Sequence, residues 1–312
     1  MMEVCLLGTG GMMPLPQRHL TALWVRSFGT SFLIDCGEGT QVSMRRVGWS
    51  FKDIDTIFLT HMHGDHVAGL PGLLLSIGNC DRTEPVNVFG PKGTARVVKG
   101  LLVAAPELPF SVKVQEIGGG ETVETGPFRI TATALDHGIP CLGYRIDLPR
   151  RPLFLPEKAK ENNVPLKAWN PLQKGNSVEI DGVLYTPDMV LGEERKGLTV
   201  AYMTDTRPTE GMVKAAENAD LLICEGMYGE EEKKTRSHKY KHMTFREAAV
   251  IARDAGAKEL WLTHYSPSLV KPQDFLEEAT SVFPATVAQR DRASVTLRFE
   301  DEENGEEAGC DG

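Results

Sequence analysis

The chain has 312 residues, 41% hydrophobic and 25% charged, with a net charge of −9. That balance belongs to a folded globular protein with ample material for a core, and it excludes fibrous and wholly disordered classes. The longest apolar runs, 69–77 and 101–105, fall far short of the ~20 residues a membrane span needs. The N-terminus lacks both the basic region and the long apolar run of a secretory signal, so a cytoplasmic protein is expected.

The acidity is concentrated at one end. Residues 299–312 hold seven Asp and Glu and no Lys or Arg, which leaves −2 for residues 1–298. An acidic, disordered tail on a nearly neutral domain is expected, so the net charge does not argue against a nucleic-acid substrate. The six cysteines, Cys5, Cys36, Cys80, Cys141, Cys224 and Cys310, form no C-x-x-C pair, and reduced, mostly buried thiols are expected.

Taken in chain order, residues 3–7, 23–26 and 31–34 read as strands. A helix over 40–47 starts just after Gly39, and a strand over 56–60 stops at His61. A helix near 71–77 follows, with Pro71 in its first turn and Gly78-Asn79 as its stop. Strands are predicted at 86–89, 112–117, 128–134 and 142–146, with a helix over 94–103. From Leu198, strands at 198–203, 221–224 and 259–263 alternate with helices near 209–218, 244–255 and 272–281. This alternation predicts a layered α/β protein. Phe58-Leu59-Thr60-His61 is echoed by Trp261-Leu262-Thr263-His264, which suggests two similar halves facing each other.

Residues 147–196 differ. Prolines 149, 152, 156, 165, 171 and 187 predict an extended insertion with short helical or strand pieces. Within it, Arg150, Arg151, Lys158, Lys160, Lys167 and Lys174 stand against Glu157 and Glu161 over residues 148–174, a net of +4. A solvated loop has this composition, and so does a basic arm that holds an RNA backbone.

The most specific signal is Thr60-His61-Met62-His63-Gly64-Asp65-His66, with three of the eight histidines and a carboxylate in six residues. His61 and His63 can project the same way in an extended segment. Gly64 permits a tight bend that brings Asp65 and His66 to a second position. Imidazole and carboxylate without thiolate suit Zn²⁺ or Mn²⁺. His137, Asp205 and His264 each follow a predicted strand, and His242 precedes a predicted helix start at Thr244. These are candidates to complete the site. The Gly-Thr-Gly-Gly run at 8–11 reads as a strand-ending turn. His19 and His238 read as non-ligands, with His238 in a charged run, 230–241, expected to be a mobile loop.

These residues carry a resemblance. Leu6-Leu7-Gly8-Thr9-Gly10, Asp35-Cys36-Gly37-Glu38-Gly39-Thr40-Gln41, the histidine run, Gly69-Leu70-Pro71-Gly72, Phe89-Gly90-Pro91-Lys92-Gly93, Thr204-Asp205-Thr206-Arg207 and Leu262-Thr263-His264 occur in that order. The chain resembles the short-form ribonuclease Z family of tRNA 3′-processing endonucleases, within the metallo-β-lactamase superfamily. The resemblance implies an αβ/βα sandwich over 1–298 with an inserted basic arm at about 147–196.

It also implies two zinc ions. One would be held by His61, His63, His137 and Asp205; the other by Asp65, His66, His264 and the bridging Asp205. The implied substrate is precursor tRNA and the implied assembly a homodimer, with the basic arm as the tRNA grip. One departure is plain. The family's arm carries a Gly-Pro shortly before a Lys-Gly; here Lys174-Gly175 is preceded by Val164-Pro165-Leu166-Lys167-Ala168-Trp169-Asn170-Pro171.

Two ions roughly 3.5–4 Å apart can bridge a hydroxide that attacks a phosphodiester. Asp65 is expected to orient the nucleophile and take its proton. His242 is expected to be the acid for the leaving oxygen, with Glu225 orienting it. A small-molecule or cyclic-nucleotide phosphodiesterase of the same fold would use the same centre, and a non-catalytic nucleic-acid-binding module would lack the need for it.

Overall fold

The computed structural model describes residues 1–300. The acidic tail expected over 299–312 therefore lies outside the described residues from Asp301 onward, as does Cys310. In chain order the strands are β1 (Met2–Gly8), β2 (Ala22–Ser27), β3 (Thr30–Ile34), β4 (Ile54–Phe58), β5 (Val86–Gly90), β6 (Val112–Glu116), β7 (Thr122–Thr125) and β8 (Phe128–Ala134). Then come β9 (Leu142–Arg150), β10 (Val178–Ile180), β11 (Val183–Tyr185), β12 (Arg195–Met203), β13 (Leu221–Glu225), β14 (Leu260–Thr263), β15 (Thr286–Ala288) and β16 (Ala293–Leu297).

Contacts divide the chain into two units, Met1–Leu148 with the chain from Leu198 onward, and Pro149–Gly197. The larger unit holds two seven-stranded sheets, ordered β16-β1-β2-β3-β4-β5-β6 and β15-β14-β13-β12-β9-β8-β7. Each combines antiparallel hairpins with a parallel run, β3 to β6 in one and β12 to β15 in the other.

The inner faces of the sheets share one apolar cluster that includes Val4, Phe32, Phe58, Phe128, Tyr144, Tyr202 and Trp261. Phe32 lies edge-on to Phe58 at 5.7 Å and to Phe128 at 5.1 Å. Helices cover the outer faces. Leu70–Gly78 and Thr94–Leu101 pack on the first sheet, and Glu210–Ala215 and Phe245–Asp254 on the second. The central parallel strands β4, β13 and β14 are buried almost throughout, with both faces covered, and so read as short hydrophobic runs, whereas the edge strand β6 alternates with polar residues.

The sequence expectations meet the structure unevenly. The helix Thr40–Val47 does start after Gly39, whose φ is 85°. Pro71 does sit in the first turn of Leu70–Gly78. Strands β9 and β12 run further than expected, to Arg150 and from Arg195. The stretch 272–281 splits into a short 3-10 turn, Pro272–Phe275, and one helical turn, Glu277–Thr280. Strands β7, β15 and β16 were not expected. All three are sheet edges, where one partner is missing and the apolar signal is weak.

The run 230–241 is a further correction. It forms a 3-10 turn, Glu231–Lys233, and a helix, Lys234–Tyr240, rather than a loop. Only Ser237 of that helix is buried, so no apolar stripe announces it.

The smaller unit has its own core of Ala159, Val164, Ala168, Leu172 and Val190. Helices Pro156–Glu161 and Leu166–Gln173 supply most of it, and β10 and β11 form a hairpin. The hairpin turns at Asp181 and Gly182, with φ of 54° and 79°, the backbone a two-residue type I′ turn demands. Among the described residues no helix is long and apolar enough to cross a membrane.

Phe32→Ala should lower unfolding free energy by roughly 3–5 kcal/mol, because it empties the centre of the inter-sheet core. Urea denaturation followed by circular dichroism checks it; a loss under 1 kcal/mol would mean that the two sheets do not depend on this contact.

Candidate metal centre

The carboxyl ends of the parallel strands all open on one rim. In β12, β13 and β14 the register pairs Met203 with Cys224 and Glu225 with Thr263. Asp205, Glu225 and His264, at or just beyond these ends, are thereby brought side by side. Across the sandwich, β3 leads into Asp35 and β4 into the histidine run. Rims of this kind are where α/β folds build sites.

Asp35, Asp205 and His264 all adopt left-handed backbone, with φ of 63°, 53° and 55°. For non-glycine residues this costs of order 1–3 kcal/mol each and turns the side chain away from the strand direction.

The bend after His63 is not a glycine effect. His63 is the extended residue before a one-turn helix, Gly64–Val67, and that helix carries Asp65 and His66 inward. A Cβ at Gly64 would meet nothing within 4 Å, so the expected special role of Gly64 is not used.

Two groups of donor atoms result. In the first, His63 Nδ1 lies 3.0 Å from His61 Nε2 and 3.2 Å from His137 Nε2. His137 Nδ1 is 3.2 Å from the Lys241 carbonyl, which can only accept, so the proton sits there and the Nε2 lone pair is free. In the second, His66 Nε2 and His264 Nε2 lie 3.2 Å apart and are 3.1 and 3.2 Å from Asp205 Oδ2. Asp65 Oδ2 is 3.5 Å from His264 Nε2 and 3.7 Å from His66 Nε2. Asp205 joins the groups, its Oδ1 being 3.8 Å from His137 Nε2.

This arrangement fits a cation. His66 Nδ1 is 2.8 Å from Asp35 Oδ2, which places a proton on that side and turns Nε2 towards the cluster, the orientation a ligating imidazole needs. Asp205 Oδ2 is buried between the Nε2 atoms of His66 and His264, at 3.1 and 3.2 Å. Buried lone pairs aimed at one another are costly unless a positive charge lies among them. The electrostatics carry the same strain. Burial depresses His61 well below the usual histidine range, with His66 adding to the effect. Burial opposes charge on His66 too, but Asp35 and Asp205 outweigh it and hold His66 well above that range. Burial works against Asp65 and Asp205, yet the surrounding histidines hold both well below the usual carboxylate range.

His242 and Glu225 form a separate pair beside the second group. His242 Nδ1 is 3.0 Å from Glu225 Oε2, and Glu225 Oε1 accepts the Thr206 N–H at 2.6 Å. Burial lowers His242, but Glu225 outweighs it and pushes the pKa up to about 9. His242 lies 3.7 Å from Asp205 Oδ1, and its ring is also close enough to His137 and Asp205 to share an ion.

Three contributors were not foreseen. Asp35 accepts from the Thr60 N–H at 2.8 Å as well as facing His66. Met12 donates its backbone N–H to Asp65 Oδ2 at 2.7 Å. Gly11 lies under His264, where a Cβ would stand 2.6 Å from the ring. The Gly-Thr-Gly-Gly run signalled a turn, but backbone contacts across 53 residues leave no local trace.

His19 faces Asp291 at 3.0 Å and His238 faces Arg207 at 3.0 Å. The six basic residues singled out over 148–174 lie in the smaller unit, apart from this cluster in the sequence. There Lys158 donates to the Leu191 carbonyl at 2.7 Å, Lys167 faces Asp181 at 3.4 Å, and Arg151, Lys160 and Lys174 are exposed.

Two facing mixed sheets with buried His and Asp clusters at one rim define a metal-dependent hydrolase of the metallo-β-lactamase fold. The family model for the beta-lactamase superfamily domain matches residues 156–265, and that for the anti-Pycsar protein Apyc1 matches residues 2–98. A ribonuclease Z of Lachnoclostridium phytofermentans is 53% identical over 304 residues, covering 97% of this chain and 100% of the relative. A ribonuclease Z of Lachnospira eligens is also 53% identical, over 303 residues, with 97% and 100% covered. The chain belongs to the ribonuclease Z family. Its fold is that of human short-form tRNase Z, at TM-score 0.68 and 23% identity with 95% and 100% of the chains covered. It is also that of the metallo-beta-lactamase fold protein YhfI of Bacillus subtilis, at TM-score 0.69 and 22% identity with 94% and 98% covered.

Asp35→Asn should weaken divalent-metal affinity about 10–100-fold, because it removes the charge that orients His66. Competition against a fluorescent chelator measures this. Unchanged affinity would show that Asp35 serves only to hold the Thr60 turn.

Proposed function

We propose that this member of the ribonuclease Z family removes 3′ trailers from precursor tRNA by metal-dependent hydrolysis of one phosphodiester. The observation that carries this reading is the meeting of two donor groups at Asp205, in a chain 53% identical over 97% of its length to a ribonuclease Z. His61, His63 and His137 with Asp205 Oδ1 would hold one divalent ion. Asp65, His66 and His264 with Asp205 Oδ2 would hold a second, and two Zn²⁺ or two Mn²⁺ suit this donor set. Bound there, the ions would supply an activated water and polarise the phosphoryl oxygens.

The chain's own residues do the rest. Asp65, fixed by the Met12 N–H, orients the attacking water and accepts its proton. His242 gives a proton to the leaving 3′ oxygen, with Glu225 holding its Nδ1 side so that the ring keeps one orientation. The products are a tRNA 3′-hydroxyl and a trailer 5′-phosphate. Arg150, Arg151, Lys160, Lys167 and Lys174 of the smaller unit hold the tRNA backbone, while Lys158 chiefly braces that unit through the Leu191 carbonyl. The same reading carries a homodimer, which sedimentation at working concentration tests.

Incubated with a precursor tRNA bearing a 3′ trailer, the purified protein should cut just after the discriminator base and lose that activity with a chelator. Cleavage of a small chromogenic diester without cleavage of the precursor would overturn the tRNA reading in favour of a small phosphodiester. His242→Ala should keep its metal and lose about 10²–10⁴-fold in kcat. Metal loss in that variant would make His242 a ligand instead of the acid.

A further inference from the structure

The metal-binding side chains form only part of the cavity of about 360 Å³ above the centre. Its remaining wall includes Tyr228, Arg236 and Tyr240, which the chemistry above does not use. Arg236 and Tyr240 are four residues apart on the helix Lys234–Tyr240, so they share a face. The guanidinium carbon of Arg236 is 5.8 Å from the Tyr240 ring centroid. Ser237, between them, is buried and accepts a hydrogen bond from Arg207 at 3.0 Å, which fixes the rotation of the helix. Tyr240 is 50% exposed at the mouth of the cavity, whereas Tyr228 is buried deeper.

These side chains are on the His242 side of the centre. Tyr240 precedes His242 by two residues, and Tyr228 is bridged to Thr244, with the Phe245 N–H donating to its carbonyl at 3.0 Å. In the hydrolysis argued above, His242 protonates the leaving 3′ oxygen. That oxygen belongs to the nucleotide 5′ of the cut, so this nucleotide must lie beside His242. A nucleotide presents a flat base and an anionic phosphate. A half-exposed phenol ring with a guanidinium against it matches both, and stacking of this kind tolerates any base.

We propose that Tyr228, Arg236 and Tyr240 form the subsite for the nucleotide immediately 5′ of the scissile phosphodiester, with Tyr240 stacking on its base and Arg236 contacting its 5′ phosphate. This rests on the phosphodiester hydrolysis and on the acid role of His242 given above.

The test uses precursor tRNA with a single abasic residue placed either just 5′ or just 3′ of the cut. Tyr240→Ala should raise KM for intact precursor about tenfold, Tyr240→Phe should restore it, and the 5′ abasic residue should cost the unaltered enzyme a similar factor. Combining Tyr240→Ala with the 5′ abasic substrate should add nothing further. Independent, multiplying losses would overturn the stack. Coupling to the 3′ abasic residue instead would overturn the assignment of side. Arg236→Gln should raise KM and make the salt dependence of binding shallower by about one phosphate contact; an unchanged salt slope would overturn the phosphate contact. Failure of the unaltered enzyme to cut intact precursor would defeat the tRNA reading itself, before any variant is compared.

Discussion

Everything at the rim depends on one carboxylate. Asp205 stands between two groups of imidazoles, with one oxygen towards each, and its Oδ2 is buried between the Nε2 atoms of His66 and His264. A buried carboxylate is costly unless positive charge stands beside it, so the groups around Asp205 are what keep it in the core. The surrounding architecture explains how the atom is held. Asp205 follows a central parallel strand by two residues and turns through left-handed backbone to face across the sandwich. His264, one strand over, and Asp35, in the opposite sheet, do the same. These three left-handed residues bring their side chains to one place on the rim.

Much of this was legible. The histidine run, Asp205 and His264 were visible because each follows an apolar parallel strand, the easiest kind of element to see in a sequence, and His137 because it follows the alternating antiparallel strand β8. The illegible parts share a physical cause, which is that their signal is not local. The edge strands β7, β15 and β16 pair on one side only and alternate with polar residues, so they resemble loops. The Asp181-Gly182 hairpin had a turn signature but strands of three residues, too short to show period-two alternation. The helix Lys234–Tyr240 has one buried residue and is set by Arg207 and by its C-terminal left-handed Lys241, not by an apolar face. Gly64 misled in the other direction. Its permissiveness suggested a special bend, whereas an ordinary helical turn makes the same change of direction.

The outer ring of the centre was the least visible part, and it decides which lone pairs face inward. Asp35 holds Nδ1 of His66 and the Lys241 carbonyl sets the tautomer of His137, while Glu225, the one member of this ring that the sequence singled out, holds Nδ1 of His242. Met12 and Gly11 act through backbone alone, one as a donor to Asp65 and the other by leaving room for His264. A residue type carries no mark of such a role, since any non-proline residue has an N–H, and only the tertiary structure selects which one is used.

The turn that presents Asp205 does not stop there. Two residues on, Arg207 donates to the His242 carbonyl, to Ser237 and to Glu247, whose carboxylate also closes a capping box with Thr244 at the start of the helix Phe245–Asp254. The backbone of the proposed acid and the helix of the cavity wall are therefore braced by one guanidinium, two residues on from Asp205. Five donors in a rigid fork can do this, where a lysine ammonium would satisfy the charge of Glu247 but not the directions of three acceptors. The His242 backbone and the helix Lys234–Tyr240 thus hang on the same side chain, so the position of the proposed acid and that of the cavity wall are set together.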